Sequence, residues 1–368
     1  MKAIAITPGT PGAEIITHQE PSLSSPHDVK VKILQVGVCG TDREQIEGGR
    51  ADAPEGSSKL IIGHEMFGKV VETGDQVTTV RPGDYGVFSV RRGCDKCVPC
   101  QNNRSDMCFT GDYVERGIKG IHGFDTEHIV DHEQYLVKVP ESVRSVGVLA
   151  EPMSVAEKAI DEAIKIQTGR LPELEEGEWL PGKRVLVAGV GAIGLLACLA
   201  LRLRGAEVWG LDIVDEDTKR PQLLKQIGGN YIDGRTVETM DLDDTFGEMD
   251  FIFEAAGVAQ LGFQLIDALG MNGVYVMTGI PAGDRPSCFM GAELMRQIVL
   301  KNQIILGSVN ASPRHFALGI QDLEKAKNKY GDWIDQLLTT RLSYQEFEKA
   351  IHQRSVDDIK TVIEWDEI

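Results

Sequence analysis

Two short segments of the chain carry residues that could bind a metal ion and leave one coordination position open. Cys39 is followed by Thr41 and Asp42, and His64 is followed directly by Glu65. A catalytic zinc uses about three protein ligands and keeps a further position for water or substrate. Cys39 and His64 are therefore the first two candidate ligands. Taken alone, an isolated cysteine is more often a small packing residue and an isolated histidine an ordinary polar group.

The third ligand should be an acid from another part of the chain. Glu151, immediately before Pro152, is the best candidate, and Glu65 could join as a fourth ligand in some states. Zinc lowers the pKa of a bound hydroxyl, so an alkoxide-like oxygen can form at neutral pH, and beside a nicotinamide this is the chemistry of hydride transfer. Thr41 could hydrogen-bond the substrate oxygen and pass its proton outward. Asp42 could orient His64 from behind.

Four further cysteines lie close together in the sequence and predict a second, closed metal site. Cys94, Cys97, Cys100 and Cys108 would fill all four positions of a tetrahedral zinc, which then stabilises a loop and does no chemistry. An iron-sulfur cluster is the first alternative, but seven residues separate Cys100 from Cys108 and no proline follows. A disulfide pair is the second, but the N-terminus does not resemble a signal peptide, so we expect reduced thiols.

A glycine loop predicts a dinucleotide site. The apolar segment from Arg184 runs into Gly-x-Gly-x-x-Gly and then into a run of helical period, and the loop comprises Gly189, Gly191, Ala192, Ile193 and Gly194. The first glycine allows a tight turn, the second a close approach of pyrophosphate, and the third close packing of helix on strand. A second strand ends in Asp212, 21 residues after Gly191, where an acid would accept hydrogen bonds from the ribose. Asp212 would repel a 2′-phosphate, which favours NAD, although NADP stays possible because Lys219 and Arg220 follow. A βα turn without a ligand is the alternative interpretation.

Later strands of the same sheet should end beside the cofactor. The strands from Phe251 and from Gly273 both lead into small residues, as the crevice at the carboxyl ends of parallel strands requires. We expect two segments to contact the nicotinamide half: Ala255, Ala256 and Gly257, and Thr278, Gly279 and Ile280.

The whole chain sets the elements that must position these residues. Its 368 residues suit two domains, and no apolar run approaches the ~20 residues that span a bilayer. The net charge of -18 opposes binding to nucleic acid or to an anionic membrane. Short β-branched runs fill residues 1 to about 140, and a βαβ pattern begins near Val185, with a connector around 171–181. We therefore expect a small-molecule enzyme in the cytoplasm.

The motifs together resemble the zinc-dependent medium-chain alcohol dehydrogenases. They occur in that family's order: Cys39-Gly-Thr-Asp, Gly63-His-Glu-x-x-Gly, Pro82-Gly-Asp, the four-cysteine lobe and the glycine loop. Within the family, segments such as Val90-Arg-Arg, Glu115-Arg-Gly-Ile, His122-Gly-Phe and Gly307-Ser-Val-Asn resemble the glucose dehydrogenases of archaea. The resemblance implies an α/β fold with a GroES-like, mostly β catalytic domain and a Rossmann domain with a doubly wound parallel sheet. The implied boundaries are 1–182 with the zinc lobe at 93–110, 183–309, and a return segment 310–368 that completes the first domain.

The same resemblance implies roles for individual residues. Cys39, His64 and Glu151 correspond to catalytic zinc ligands with Glu65 close by, so two zinc ions per chain are expected. The substrate contacts implied are Thr41, Glu115, His122, Glu151 and Asn310. The expected reaction oxidises the C1 hydroxyl of an aldose, D-glucose first, to the lactone with reduction of NAD or NADP, in a homodimer or homotetramer.

Two departures keep a second substrate class open. Val90 and Val155 stand where some relatives have polar side chains, so a polyol or another secondary alcohol, of the sorbitol or threonine type, is the alternative substrate. A third hypothesis is a nucleotide-binding sensor without turnover. The intact set of Cys39, His64 and Glu151 argues against it, because a pure binding protein has no use for a Lewis acid.

Overall fold

The computed structural model describes residues 1–175, 177–281, 286–353 and 355–367. They form two compact units. Unit 1 comprises Met1–Ser154 with Asn310–Ile368, and unit 2 comprises Val155–Val309.

The strands and helices are numbered in chain order. The strands of the described residues are β1 (Lys2–Ile6), β2 (Glu14–Thr17), β3 (Asp28–Val38), β4 (Leu60–Ile61), β5 (Glu65–Thr73), β6 (Tyr85–Phe88), β7 (Arg91–Arg92), β8 (Val114–Arg116), β9 (Gly120–Ile121), β10 (His128–His132), β11 (Leu136–Val139), β12 (Arg184–Ala188), β13 (Glu207–Asp212), β14 (Asn230–Asp233), β15 (Met249–Glu254), β16 (Leu269–Met277), β17 (Ile304–Gly307), β18 (Leu338–Ser343) and β19 (Lys360–Glu364). The α-helices are α1 (Gly40–Ile46), α2 (Val98–Gln101), α3 (Ala150–Arg170), α4 (Ala192–Leu203), α5 (Lys219–Gln226), α6 (Leu242–Phe246), α7 (Ala259–Gln264), α8 (Gly291–Leu300), α9 (Pro313–Tyr330) and α10 (Phe347–His352).

The first boundary between the units differs from the boundary expected at 182/183. The long helix α3 begins in unit 1, but from Val155 onward it belongs to unit 2. Its side chains explain this: Glu157 accepts a hydrogen bond from Arg204 at 2.6 Å, and Gln167 donates to the Asn272 carbonyl at 3.0 Å. The connector after the helix therefore lies inside unit 2 and does not separate the units.

Unit 1 is built mainly of antiparallel sheets. The largest has the order β11-β6-β5-β3-β19-β18, with β10 also paired to β3. Strand β3 ends one residue before Cys39, and β5 begins one residue after His64. The C-terminal strand β19 runs on the other side of β3, with Thr361 opposite Val38. The C-terminus of β3 and the N-termini of β5 and β19 therefore lie close together, although they are distant in sequence.

Unit 2 contains one parallel sheet of six strands in the order β14-β13-β12-β15-β16-β17. The order confirms the predicted doubly wound sheet, whose ligand crevice lies at the carboxyl ends of the strands. Helix α4 follows β12 as predicted, and every residue from Gly194 to Leu201 is buried. Strand β14 was not predicted, because its four residues Asn-Tyr-Ile-Asp have no apolar run.

Among the described residues, no helix combines the length and the apolarity that a bilayer crossing requires.

Candidate metal and dinucleotide sites

Cys39, His64 and Glu65 converge at the end of the large sheet. Their ligand atoms all lie within 4.8 Å of one another, and Cys39 Sγ is 3.1 Å from His64 Nε2. Cys39 caps helix α1, where its sulfur accepts the Thr41 backbone N–H at 3.2 Å. His64 and Glu65 are both buried. The structure therefore brings together three of the four residues predicted to surround an open metal position.

Asp42 contacts both Cys39 and His64. Its Oδ2 accepts the Cys39 backbone N–H at 2.8 Å, and its Oδ1 lies 3.4 Å from His64 Nδ1. A carboxylate on one ring nitrogen fixes the tautomer and leaves the other nitrogen free to bind a metal. The sequence analysis expected this orienting role for Asp42.

The residues around Cys39 and His64 suit a bound cation. Glu65 pairs with Lys360 of β19, and both side chains are 3% exposed. Glu151 lies outside the 4.8 Å group, but it is close enough for the Glu65 carboxylate to act on it. Burial, with a contribution from Glu65, raises the pKa of Glu151 to about 7. Cys39, His64, Glu65 and Glu151 offer sulfur, nitrogen and carboxylate oxygen donors, and this donor set fits a zinc ion.

The four cysteines of the lobe also converge. The sulfur atoms of Cys94, Cys97, Cys100 and Cys108 all lie within 4.8 Å of one another. The Thr110 hydroxyl is 3.3 Å from the Cys108 sulfur and lowers the pKa of that thiol to about 6. Four thiol ligands with no open position fit a closed zinc site, which binds the thiolate form of cysteine.

Three of the residues expected to contact substrate, Glu115, Asn310 and His122, differ in their partners. Glu115 and Asn310 lie together, because Asn310 Nδ2 donates to Glu115 Oε1 at 2.7 Å. The His122 ring instead packs edge-on against His18, with 5.1 Å between ring centroids, and accepts the Ile61 backbone N–H at 3.2 Å. Among the described residues, no metal-ligand group contains His122. Its inclusion rested on resemblance alone.

The glycine loop has the geometry that its sequence predicts. Gly189 has a φ of +86°, and Gly191 precedes helix α4 with an extended backbone. A Cβ on Gly194 would overlap the Gly189 carbonyl, so only glycine allows this packing of helix on loop. A cavity of about 350 Å³ lies at the carboxyl ends of the strands. It is lined by Gly189, Gly191, Asp212, Arg220, Ala255 and Ala256, among others.

Asp212, the residue predicted to bind the ribose, lines this cavity. Its Oδ2 accepts the Val190 N–H at 2.9 Å, and its Oδ1 accepts the Ile213 N–H at 2.7 Å. Arg220 Nη1 stands 3.9 Å from Asp212 Oδ2. The acid is thus fixed in place by backbone donors, with one cation beside it.

Two buried charged residues that contact the metal and dinucleotide sites, Lys360 and Glu254, were not predicted from the sequence. Lys360 gave no local signal, because its place depends on the pairing of β19 with β3. Glu254, at the end of β15, is 3% exposed; its carboxylate accepts the N–H of Gly257 at 2.7 Å and of Gly279 at 3.2 Å. It therefore ties together the two segments expected at the nicotinamide half. The sequence did offer a signal for Glu254, because this acid directly follows the apolar run Phe-Ile-Phe.

The glycine loop yields a paired prediction. A Cβ at Gly191 meets open space and its φ is ordinary, so Gly191→Ala should keep thermal stability, while its methyl group would obstruct a pyrophosphate and weaken NADH binding about tenfold or more. Gly194→Ala should instead cost roughly 1–3 kcal/mol of stability. Calorimetry and NADH fluorescence titration measure both. Equal stability losses, or normal NADH affinity in Gly191→Ala, would contradict this division.

Glu254 yields a second prediction. In Glu254→Gln only one acceptor oxygen remains for two N–H donors, so one segment loses its hydrogen bond to this side chain. We expect NADH affinity to fall about three- to tenfold while AMP, which lacks the nicotinamide half, binds as before. Calorimetric titration with both ligands is the measurement. Asp250→Asn, on the same strand, is the control, and equal losses for AMP and NADH would refute the role.

Comparison with known proteins assigns the family. A model for the alcohol dehydrogenase GroES-like domain matches residues 25–141, and a model for the glucose dehydrogenase C-terminus matches residues 144–365. The chain is 38% identical to glucose 1-dehydrogenase 2 of Vulcanisaeta moutnovskia and 37% identical to glucose 1-dehydrogenase 1 of Caldivirga maquilingensis, over 99% of each chain. The crystal structure of Haloferax mediterranei glucose dehydrogenase in complex with NADP, Zn and gluconolactone superposes with a TM-score of 0.89, at 33% identity and full coverage of both chains. The chain belongs to the glucose dehydrogenase branch of the zinc-dependent medium-chain alcohol dehydrogenases.

Proposed function

We propose that this chain oxidises the C1 hydroxyl of an aldose, D-glucose first, to the lactone and transfers the hydride to NAD or NADP. The observation that carries the proposal is the convergence of Cys39, His64 and Glu65 in a chain that also has a complete dinucleotide loop. The relatives named above support the substrate. The Haloferax protein binds gluconolactone, the product that oxidation of glucose at C1 would form.

The residues around the open site divide the work. Cys39, His64 and Glu151, with Glu65 nearby, would hold a zinc ion, which supplies Lewis acidity toward the C1 hydroxyl. Asp42 Oδ1 lies beside His64 Nδ1, so Nε2 is the ring nitrogen that would bind the zinc ion. Lys360 neutralises Glu65 and so leaves fewer negative charges to oppose the alkoxide.

Proton and hydride leave the sugar separately. Thr41 lies in the first turn of α1, two residues after Cys39, and its hydroxyl accepts the C1 hydroxyl proton and passes it outward. The C1–H bond breaks and its electron pair passes with the hydrogen to the nicotinamide. The balance is one aldose and one oxidised nicotinamide giving one lactone, one reduced nicotinamide and one proton.

Asp212 favours NAD in this chain. Its backbone hydrogen bonds keep the carboxylate where a 2′-phosphate would stand, and like charges repel there. Arg220 beside it could pair with such a phosphate, so NADP should be used more weakly. Because the Haloferax structure contains NADP, the preference for NAD is tested by comparing kcat/KM with NAD and with NADP.

The test is a substrate panel with purified enzyme. We expect reduced nicotinamide to form with D-glucose, at a higher kcat/KM with NAD than with NADP, and acid to be released as the lactone hydrolyses. Turnover of sorbitol or threonine to a ketone, with none on aldoses, would favour the alternative substrate class. No turnover with any aldose would refute the proposal.

The two cysteine sites should fail differently. Cys39→Ala should lower kcat about 100-fold or more, roughly 2.7 kcal/mol of transition-state stabilisation, with little change in melting temperature. Cys94→Ala should lower the melting temperature by several degrees, because a closed zinc site stabilises the fold. Elemental analysis should find one zinc fewer in each variant. Equal losses of turnover and of stability in both variants would contradict separate roles.

We also propose that the chain forms a homodimer through unit 2, with tetramers built from such dimers. Strand β17 is an edge of the parallel sheet, and the neighbouring helix α8 has no buried residue. Met295, Val299 and Leu300 are each more than 60% exposed along this helix. Such an apolar surface beside an open sheet edge fits a second copy of the same surface across a twofold axis.

Light scattering after gel filtration tests the assembly. We expect the mass of a dimer or tetramer for the native chain and a smaller species for Val299→Glu, because a charge would be buried in the interface. Val71→Glu is the control, since Val71 is an exposed valine on β5 of unit 1. A monomeric native chain would refute the proposal.

A further inference from the structure

Arg91 connects the sugar-binding region to the cysteine lobe. It lies on the short strand β7, directly opposite Glu115 of β8. Its residue is 6% exposed, although arginine side chains are rarely buried unless they are paired. The metal sites and the dinucleotide site do not use it.

Three donors meet on one oxygen of Glu115. Arg91 Nε and Nη2 donate to Glu115 Oε1 at 3.0 and 2.9 Å, and Asn310 Nδ2 donates to the same oxygen at 2.7 Å. No described residue donates to Glu115 Oε2. The carboxylate is therefore held by one oxygen while the other stays available for a hydroxyl donor.

The guanidinium itself is fixed from the other side. Arg91 Nη1 donates to the Asp106 carbonyl at 2.9 Å, and the Ser105 hydroxyl donates to the Arg91 carbonyl at 3.2 Å. The guanidinium carbon stands 3.8 Å from the centre of the Tyr113 ring. Ser105 and Asp106 form the turn just before Cys108, so the cysteine lobe holds Arg91 in place.

We propose that Arg91 is a positioning residue for substrate recognition: it fixes Glu115 so that Oε2 accepts a hydrogen bond from one hydroxyl of the sugar. This inference rests on the proposed function and on the sugar contact that the family resemblance implies for Glu115. Because Nη1 of the same guanidinium donates to the Asp106 carbonyl, Arg91 links sugar affinity to the fold of the lobe. A carboxylate fixed before binding loses no rotational freedom when the sugar arrives.

Neighbouring Arg92 provides a matched control. It lies on the same strand and is 7% exposed, but it donates to Asp131 and not to Glu115. We expect Arg91→Met to raise KM for glucose about tenfold or more, with KM for the cofactor unchanged. Arg92→Met should lower thermal stability without this change in KM. Arg91→Lys, which keeps the charge but places it on a single nitrogen, should recover part of the glucose affinity and guards against a variant that fails to fold.

Deoxyglucoses give a readout that a structural role would not move. The native enzyme should discriminate against the one deoxyglucose that lacks the hydroxyl bound by Glu115, and Arg91→Met should lose most of that discrimination and Arg91→Lys part of it. Glu115→Gln is measured in parallel. If Glu115→Gln leaves glucose KM unchanged, the proposed sugar contact is wrong. If Glu115→Gln raises KM but the Arg91 variants do not, or if Arg92→Met raises it equally, the positioning role is wrong.

Discussion

The pairing register of strand β3 with β5 and β19 is the constraint on which the open metal site depends. Gly37 stands opposite Glu65, and Val38 stands opposite Thr361. Cys39, His64 and Lys360 are each next to one of these paired positions, so the register alone brings them together. A Cβ on Gly37 would overlap the Glu65 carboxylate and the Lys360 side chain. A slip of one residue would turn the side chains of the strand to the opposite face and scatter the ligands.

That register also concentrates charge where water cannot reach. Asp42, Glu65 and Lys360 are all nearly inaccessible, and a buried charge is tolerated only when it is paired and hydrogen-bonded. Glu65 pairs with Lys360, Asp42 Oδ2 accepts the Cys39 N–H, and Asp42 Oδ1 lies 3.4 Å from His64 Nδ1. Cys39, His64 and Glu65 offer sulfur, nitrogen and oxygen donors within 4.8 Å of one another, and burial beside Glu65 raises the pKa of Glu151. A divalent ion bound there would pair with the carboxylates that this register brings together.

What the sequence could predict depended on whether the relevant spacing was local. The cysteine lobe and the glycine loop were predictable because their residues are close in the chain, and five strands of the parallel sheet because they are apolar; β14, which has no apolar run, was not. Contacts set by register were not: Lys360 reaches Glu65 only through the placement of β19, and Glu254 ties two loops that follow different strands. The place of His122 among the substrate residues came from resemblance alone and stays a prediction; its ring packs against His18.

The cysteine lobe does more than cover a surface, because of where it is inserted. Residues 93–113 connect β7 to β8, two strands that are paired with each other and that carry Arg91 and Glu115. Closing a loop of this length costs conformational entropy, and two short strands offer few hydrogen bonds against that cost. Four sulfur atoms that bind one ion only in the folded lobe would contribute binding free energy that offsets this cost. A zinc ion in the lobe would therefore stabilise the strand pair that carries Arg91 and Glu115, so a site without chemistry of its own would still influence the proposed sugar contact of Glu115.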